Sequence, residues 1–84
     1  MSNDKSLQDT NIKIGTKQTT KMVEQGKAIE VYVALDADKK LISKITSICF
    51  KRNVKVTEVT TMQELGKLCG IEVGAAMAAV IKPE

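Results

Sequence analysis

Two short segments that contain glycines carry the residues best suited, by type and spacing, to a binding or catalytic role. Residues 15–21 read Gly-Thr-Lys-Gln-Thr-Thr-Lys, and residues 65–74 place Ile71, Glu72 and Val73 between two glycines, just before a predicted buried strand. The first segment begins a predicted helix, where free backbone N–H groups and the positive end of the helix dipole favour an anion. Together the two segments predict a surface for a folded RNA rather than a catalytic pocket.

Three side chains near the start of that helix are predicted to share one surface. Lys17 and Lys21 are four residues apart, and Gln18 and Lys21 are three apart, so they are neighbours on a helix. A glutamine amide can hydrogen-bond a base edge, and a lysine can reach the N7/O6 edge of a purine or a phosphate. Three solvated residues on a surface helix would show the same spacing, so spacing alone leaves that alternative open.

Enzyme chemistry has little support in this sequence. It contains no histidine and no serine in a nucleophile-elbow motif. Residues 15–17 do not form a P-loop, which needs a longer glycine-rich loop, and Gly66, Gly70 and Gly74 do not have the spacing of a dinucleotide fingerprint. We therefore expect no catalytic residue and no cofactor. Close packing or turn geometry is the expected role of Gly26 and Gly66.

Asp36 and Asp38 are the one pair of carboxylates at a position where a ligand could bind. They follow a predicted strand, at a position where ligands often bind in α/β folds. A metal site is one interpretation. The other, which we favour, is that Asp38 caps the following helix by accepting a backbone N–H, so no metal is expected.

The composition indicates one small domain with a modest positive charge. The 84 residues are expected to form a single domain, 1–84, that is frayed at 1–5 and 82–84. The hydrophobic fraction is 43%, but Tyr32 and Phe50 are the only aromatic residues, which argues against an aromatic platform for single-stranded nucleic acid. Net charge is +3, and residues 39–55 carry six cations and no acid, a distribution that suits a polyanion.

The sequence predicts a cytoplasmic protein. The first twelve residues are polar, and no stretch approaches the roughly 20 apolar residues of a membrane span, so neither a signal peptide nor a membrane partner is expected. Cys49 and Cys69 lie among core-type residues, and buried thiols in a reducing compartment are the expected state. Without histidine, two cysteines make no credible zinc site.

Hydrophobic periodicity predicts alternating helices and strands. Thr16 is the predicted N-cap of the second helix, and Thr61 with Glu64 has the spacing of a capping box. This alternation predicts an α/β fold with helices on both faces of a sheet. The predicted helices are 6–10, 17–25, 39–53 and a fourth from the capping box to 69, and the predicted strands are 12–14, 29–35, 54–59 and 75–81.

Three segments, in this order and spacing, resemble a known family: residues 14–21, 33–38 and 65–76. The chain resembles the kink-turn-binding ribosomal proteins of the archaeal large-subunit "L-seven-Ae" type, most closely their short bacterial homologues, over about residues 5–82. The resemblance implies a three-layer α-β-α sandwich with a four-stranded mixed sheet. It also implies binding to a kink-turn, a sharply bent internal loop with tandem sheared G·A pairs.

The resemblance assigns expected roles to nine residues. Gly15 and Thr16 would approach the RNA backbone closely. Lys17 and Gln18 stand where the family commonly has Asn-Glu, whose side chains read the guanines of the G·A pairs. Lys21 matches a lysine that contacts guanine or phosphate. The remaining four are Ile71, Glu72 and Val73, which match a variable loop that packs on extruded nucleotides, and Asp38, which matches an acidic contact to a flipped-out base.

Two departures from the family pattern change the expected binding. Lys17-Gln18 replaces a carboxylate acceptor by an amide and adds a positive charge. Affinity should therefore depend more on phosphate electrostatics and should be more sensitive to salt. Lys39 stands where family members often have a proline after the acidic turn.

The leading hypothesis is a non-enzymatic, monomeric protein that binds structured RNA containing a kink-turn, either ribosomal or riboswitch-like, and binds neither DNA nor a membrane. One alternative is a structural or protein-interaction module with a degenerate RNA surface, in which Ile71 and Val73 dock into a partner's groove. Another is a small-molecule or nucleotide binder that uses the helix start at Gly15 as an anion hole.

Overall fold

The computed structural model describes residues 11–82 and shows the predicted alternation of helices and strands. The helix predicted at 6–10 lies outside the described residues, as do positions 1–5 and 83–84. None of the helices in the described part is long and apolar enough to cross a membrane. The elements are β1 (Ile12–Ile14), α1 (Thr16–Glu24), β2 (Ala28–Ala34), α2 (Lys39–Arg52), β3 (Lys55–Val59), α3 (Met62–Cys69) and β4 (Met77–Ile81).

The four strands form one mixed sheet in the order β1-β4-β2-β3. Strand β4 is the last in the chain but lies inside the sheet, antiparallel to both of its neighbours, whereas β2 and β3 are parallel. Ala78 of β4 is thus paired with Ile14 on one side and Tyr32 on the other. The predicted four-stranded mixed sheet is confirmed.

Helices cover both faces of this sheet. On one face, α1 and α2 contribute Met22, Val23, Ile45 and Cys49 to a buried cluster with residues of β2 and β4. On the other face, Leu65 of α3 packs in a second cluster that is otherwise built largely from small residues, Ala34, Ala37, Ala75 and Ala78. Successive side chains of a strand point to opposite faces of the sheet, so neighbouring residues of β4 belong to different clusters. The predicted α-β-α sandwich is confirmed.

Helices α2 and α3 begin with the predicted side-chain caps. Asp38 Oδ1 accepts the backbone N–H of Lys40 at 2.8 Å, and Thr61 Oγ1 accepts that of Glu64 at 3.1 Å. Each cap satisfies an N–H group that lacks a partner inside the helix.

The predicted N-cap of α1 is wrong. The helix includes Thr16, and the capping position belongs to Gly15, which has no side chain with which to cap it. The reason is tertiary: the N–H of Gly15 donates to the carbonyl of Met77 at 3.0 Å, while its carbonyl accepts the N–H of Thr19 at 2.9 Å. Gly15 is therefore tied to the sheet and to the first helical turn at once.

Strand β4 begins two residues later than predicted. The N–H of Ala75 donates to the carbonyl of Met62 at 3.0 Å, so this part of the chain is attached to the start of α3 before it enters the sheet.

The two cysteines are free and differ in exposure: Cys49 is buried, as predicted, but Cys69 is only half-buried. Burial raises the pKa of both thiols above its usual value. Both are therefore neutral near pH 7, as expected of cysteines used for packing.

Replacing Thr19 by valine should stabilise the fold. Thr19 is fully buried in α1, and its hydroxyl has no hydrogen-bond partner in the described part of the chain. Removing an unsatisfied buried hydroxyl at nearly constant volume should raise the free energy of unfolding by about 1 kcal/mol, since threonine and valine have similar helix propensities. Chemical denaturation measures this change, with Thr20→Val, at a half-buried neighbour, as the control. A clear loss of stability in Thr19→Val would show that the hydroxyl is bonded after all.

Candidate nucleic-acid interface

The connections between the elements meet at one edge of the sheet. Because β2 and β3 are parallel and β4 is antiparallel to β1 and β2, the carboxyl ends of β1, β2 and β3 lie beside the start of β4. The starts of all three helices and the 70–76 connection are therefore at this edge. Every residue predicted to contact RNA lies in these connections or in the first two turns of α1: Gly15, Thr16, Lys17, Gln18, Lys21, Asp38, Ile71, Glu72 and Val73.

Backbone hydrogen bonds fix the start of α1 relative to the 70–76 connection. Gly15 is bonded to Met77, and the N–H of Ala34 donates to the carbonyl of Ala76 at 2.9 Å. Two adjacent residues, at the end of this connection and the start of β4, thus hold α1 on one side and the end of β2 on the other. Segments that are far apart in the sequence are joined here through main-chain bonds.

Asp36 has a role that the sequence did not reveal. Its Oδ1 accepts the N–H of Met62, the first residue of α3, at 2.8 Å. This carboxylate therefore caps a helix that begins 26 residues later in the chain, and local spacing contains no signal for such a bond.

Both carboxylates of the turn at residues 36–38 (the acidic turn) thus cap helices. Asp38 is exposed, and one of its carboxylate oxygens binds the Lys40 N–H, which confirms the capping role favoured over metal binding. Residues 11–82 include no group of three or more His, Cys, Asp or Glu side chains arranged to hold a metal ion.

Helix α1 differs from α2 and α3 because no side chain of residues 11–82 caps its start. Its first N–H groups lack partners inside the helix, as at any helix start, and the first turn carries Lys17 and no acid. Gly15 has φ 106° and ψ 158°, a conformation that is essentially restricted to glycine. A Cβ built at Gly15 would meet nothing within 4 Å. Among the described residues, nothing fills the space on the side-chain side of Gly15, next to the positive end of α1.

The predicted trio of polar side chains lies on the outer side of this helix. Lys17, Gln18 and Lys21 are exposed, whereas Thr19, Met22 and Val23 face the core. Two positive charges and one amide are thus presented next to the uncapped helix start.

A basic groove lies on one side of α1. Lys13 of β1, with Lys27 and Lys82 beyond the ends of α1 and β4, joins Gln18 and Lys21 in lining it, and none of the lining side chains from residues 11–82 is acidic. Lys82 reaches this position because its N–H donates to the carbonyl of Lys27 at 2.9 Å. The lysines of residues 13–27 are visible in the sequence as a cluster, but nothing local to them indicates that Lys82 belongs to it.

A second groove lies between α1 and α2. Lys17 and Lys21 line it together with Lys44 of α2, and Glu24 is the acidic residue in its lining. Lys21 therefore borders both grooves, and the basic surface continues from the start of α1 onto α2.

The loop before β4 presents two of its three predicted contact residues. Glu72 is exposed, and Val73 is 70% exposed. Ile71 is half-buried and packs against the second core cluster, and its N–H donates to the carbonyl of Gly66 at 3.0 Å. The apolar tip of this loop is therefore Val73, with Ile71 behind it as an anchor.

Comparison with known proteins identifies the family. The model of the family described as "Ribosomal protein L7Ae/L30e/S12e/Gadd45 family" matches residues 2–84. The chain belongs to this family. The resemblance inferred from the three sequence segments is confirmed.

Similar proteins of this family are named for RNA or for the ribosome. The chain is 50% identical to RNA-binding protein GK0100 of Geobacillus kaustophilus (strain HTA426) over 82 residues, which is 98% of this chain and 100% of that protein. It is 38% identical to large ribosomal subunit protein eL8 of Halobacterium salinarum (strain ATCC 29341 / DSM 671 / R1) over 72 residues, which is 84% of this chain and 60% of that protein.

A solved structure shares the fold. The Giardia lamblia 15.5kD RNA binding protein superposes with a TM-score of 0.80 at 28% sequence identity, covering 87% of this chain and 62% of that one. The α-β-α sandwich is thus shared with a protein that is named for RNA binding.

Replacing Gly66 by alanine should destabilise the protein and disturb the loop before β4. In a helix interior this change usually stabilises by up to about 1 kcal/mol, but here the new Cβ would overlap the carbonyl oxygen of Val73. Forcing the backbone apart should lower the free energy of unfolding by about 1–3 kcal/mol. Denaturation together with backbone amide NMR measures both effects, and the largest chemical-shift changes are expected at residues 71–74. A stabilised variant with unchanged loop signals would contradict the close packing of this loop on α3.

Proposed function

We propose that this protein is a non-enzymatic RNA-binding protein that recognises a kink-turn in structured RNA. The observation that carries the proposal is the start of α1 in the described part of the chain: Gly15 supplies no side-chain cap and leaves the space beside it open, and Lys17, Gln18 and Lys21 are exposed in the first two turns. Membership of a ribosomal-protein family and a relative named as an RNA-binding protein support the choice of RNA as the anion.

The start of α1 would supply both attraction and base recognition. Without a side chain at Gly15, the RNA backbone can come close to the free N–H groups of the first turn, where the helix dipole favours a phosphate. The Gln18 amide can donate to and accept from a base edge, and Lys21 can bind a guanine edge or a phosphate. A groove widened by sheared G·A pairs would admit these side chains.

The basic groove beside β1 would extend the contact along one RNA strand. Lys13, Lys27 and Lys82 line it, and the described part of the chain adds no acidic side chain to the lining. Phosphate contacts of this kind position an RNA and contribute affinity, whereas base contacts specify it. In this proposal, Lys13, Lys27 and Lys82 contribute affinity through phosphate contacts, and Gln18 and Lys21 contribute specificity through base contacts.

The loop before β4 and the acidic turn would bind the nucleotides that a kink-turn extrudes. Val73 offers an apolar contact, Glu72 a hydrogen-bond acceptor, and the half-buried Ile71 would hold the loop in place from behind. One oxygen of Asp38 is used in capping α2, and the other would accept a hydrogen bond from a flipped-out base.

The proposal includes a ribosomal or riboswitch-like RNA as the partner, a cytoplasmic location and action as a monomer. It includes neither DNA nor a membrane.

A small nucleotide is the second candidate ligand, because the uncapped start of α1 would accept a single phosphate as well as a chain of them. The two basic grooves favour RNA, since they extend the positive surface well beyond one phosphate. Thermal stabilisation by mononucleotides in the absence of RNA would favour the smaller ligand.

Removing the side chain of Gln18 or Lys21 should reduce the protein's discrimination between a kink-turn RNA and the same RNA without its G·A pairs. In Gln18→Ala and Lys21→Ala, the affinity ratio between a kink-turn RNA and the same RNA with its G·A pairs replaced should fall, because each variant removes a side chain that reads a base edge. The expected decrease is about 1–3 kcal/mol for each such side chain. Electrophoretic mobility shift or fluorescence anisotropy measures the ratio.

Matched control variants exist on the opposite face of the sheet. Gln63→Ala and Lys67→Ala remove the same side-chain types from exposed positions of α3 and should leave the ratio unchanged. If Gln18→Ala and Lys21→Ala retain full discrimination, base reading by α1 is excluded.

A further inference from the structure

A stripe of positive charge runs along the outer side of α2. Lys40, Lys44, Ser47 and Lys51 are spaced by four, three and four residues and are all exposed. This spacing places them on one face of the helix, over a length of about 16 Å. The stripe thus has the linear form of a phosphate backbone.

Phe50 stands next to this stripe and is 84% exposed. Its neighbours one turn back are Thr46 and Ser47, and Ser43 lies a further turn away on the same side. Every other exposed side chain of α2 is polar. The ring is therefore a single apolar group among small hydroxyl-bearing residues, with its faces uncrowded by larger side chains of its own helix.

Helix stability does not account for the charges at the start of the stripe. Lys39 and Lys40 occupy the first turn of α2, which contains no acid, and cations at this end oppose the helix dipole. Asp38 caps the start of α2, but residues 39–55 contain no acidic residue that could pair with the lysines along the helix. A polyanion bound outside the helix would give these lysines a favourable partner.

The stripe is continuous with the proposed kink-turn site. Lys44 lines the groove between α1 and α2 together with Lys17 and Lys21. An RNA strand that leaves the start of α1 therefore meets Lys44 first, and Lys51 and Phe50 lie about two turns further along α2.

We propose that α2 is a second RNA-contact surface, on which a single-stranded segment flanking the kink-turn places its phosphates along the lysine stripe and stacks one base on Phe50. The inference rests on the proposed function, because the kink-turn delivers the flanking strand to Lys44. One ring cannot form a platform for successive bases. The contact therefore consists of one stacked base together with phosphate contacts to the lysines of the stripe.

The surroundings of Phe50 favour RNA over an acidic protein segment as the occupant. Protein interfaces have an apolar core of several residues, and the exposed face of α2 offers only this ring. An isolated aromatic ring beside a row of lysines is suited to a base and its phosphates, since every base has a π-face.

The test compares a minimal kink-turn RNA with the same RNA carrying a single-stranded tail of about eight nucleotides, a length in the range of single-strand binding sites. Tails are placed in turn on each strand end next to the site. Wild-type protein should bind one of the tailed RNAs about tenfold more tightly than the minimal RNA, a gain in the range expected for one stacked base. Phe50→Leu, which keeps an apolar group but removes the ring, and Lys51→Gln should each lose most of this gain without changing affinity for the minimal RNA.

Two further variants make the test specific to the stripe and to the ring. Lys67→Gln removes the same charge from an exposed position on α3, across the sheet, and should retain the full gain. Phe50→Trp should also retain it. Because the chain contains no tryptophan, the fluorescence of this variant reports on position 50 alone, and the tailed RNA should quench it while the minimal RNA does not.

The outcomes separate the two proposals. If the minimal kink-turn fails to bind wild type, the proposed function is overturned and this inference with it. If the minimal RNA binds but no tail adds affinity, the second surface alone is overturned. A gain that survives in Phe50→Leu would overturn the stacking of a base on Phe50 and would leave only phosphate contacts to the lysine stripe.

Discussion

The antiparallel pairing of β4 with both β1 and β2 is the constraint on which the rest of the structure depends. This strand is the last element of the chain, yet it lies inside the sheet, and its residues Met77, Ala78 and Ala79 are fully buried between helices on both faces. Its first carbonyl accepts the N–H of Gly15, so the start of α1 is fixed only when β4 is in place. The edge that carries the candidate site therefore depends on long-range strand pairing, although each of its loops is local in sequence.

Much of this fold could be predicted because its signals are local. The helical spacing of Leu41, Ile42 and Ile45, the cap at Asp38 and the cap at Thr61 all depend on residues within a few positions of each other. The features that sequence reasoning missed are tertiary. Asp36 caps a helix that begins 26 residues later. The capping position of α1 is Gly15 rather than Thr16, and the N–H of Gly15 is hydrogen-bonded to Met77 of the sheet.

The candidate site divides in the same way. Helical spacing was sufficient to group Lys17, Gln18 and Lys21, which are exposed together on α1. Spacing could not show that Lys82 joins Lys13 and Lys27 in one groove, since these residues come from opposite ends of the described chain. Nor could it show that Ile71 is half-buried while Val73 is exposed, because that difference is set by the packing of the loop on Gly66. Among the described helices, α2 and α3 begin with side-chain caps and α1 begins at a glycine without one, which is why the proposed anion contact is assigned to the start of α1.

Recognition of a kink-turn is best examined by a salt titration of binding to a kink-turn RNA, beside the same RNA with its G·A pairs replaced. Both affinities should fall as salt rises, because lysine contacts to phosphate release counterions. The affinity ratio between the two RNAs should nevertheless persist at high salt, since contacts to base edges are not driven by counterion release. Two affinities that match at every salt concentration and fall together would contradict the account and would leave only a basic surface without recognition of the kinked fold.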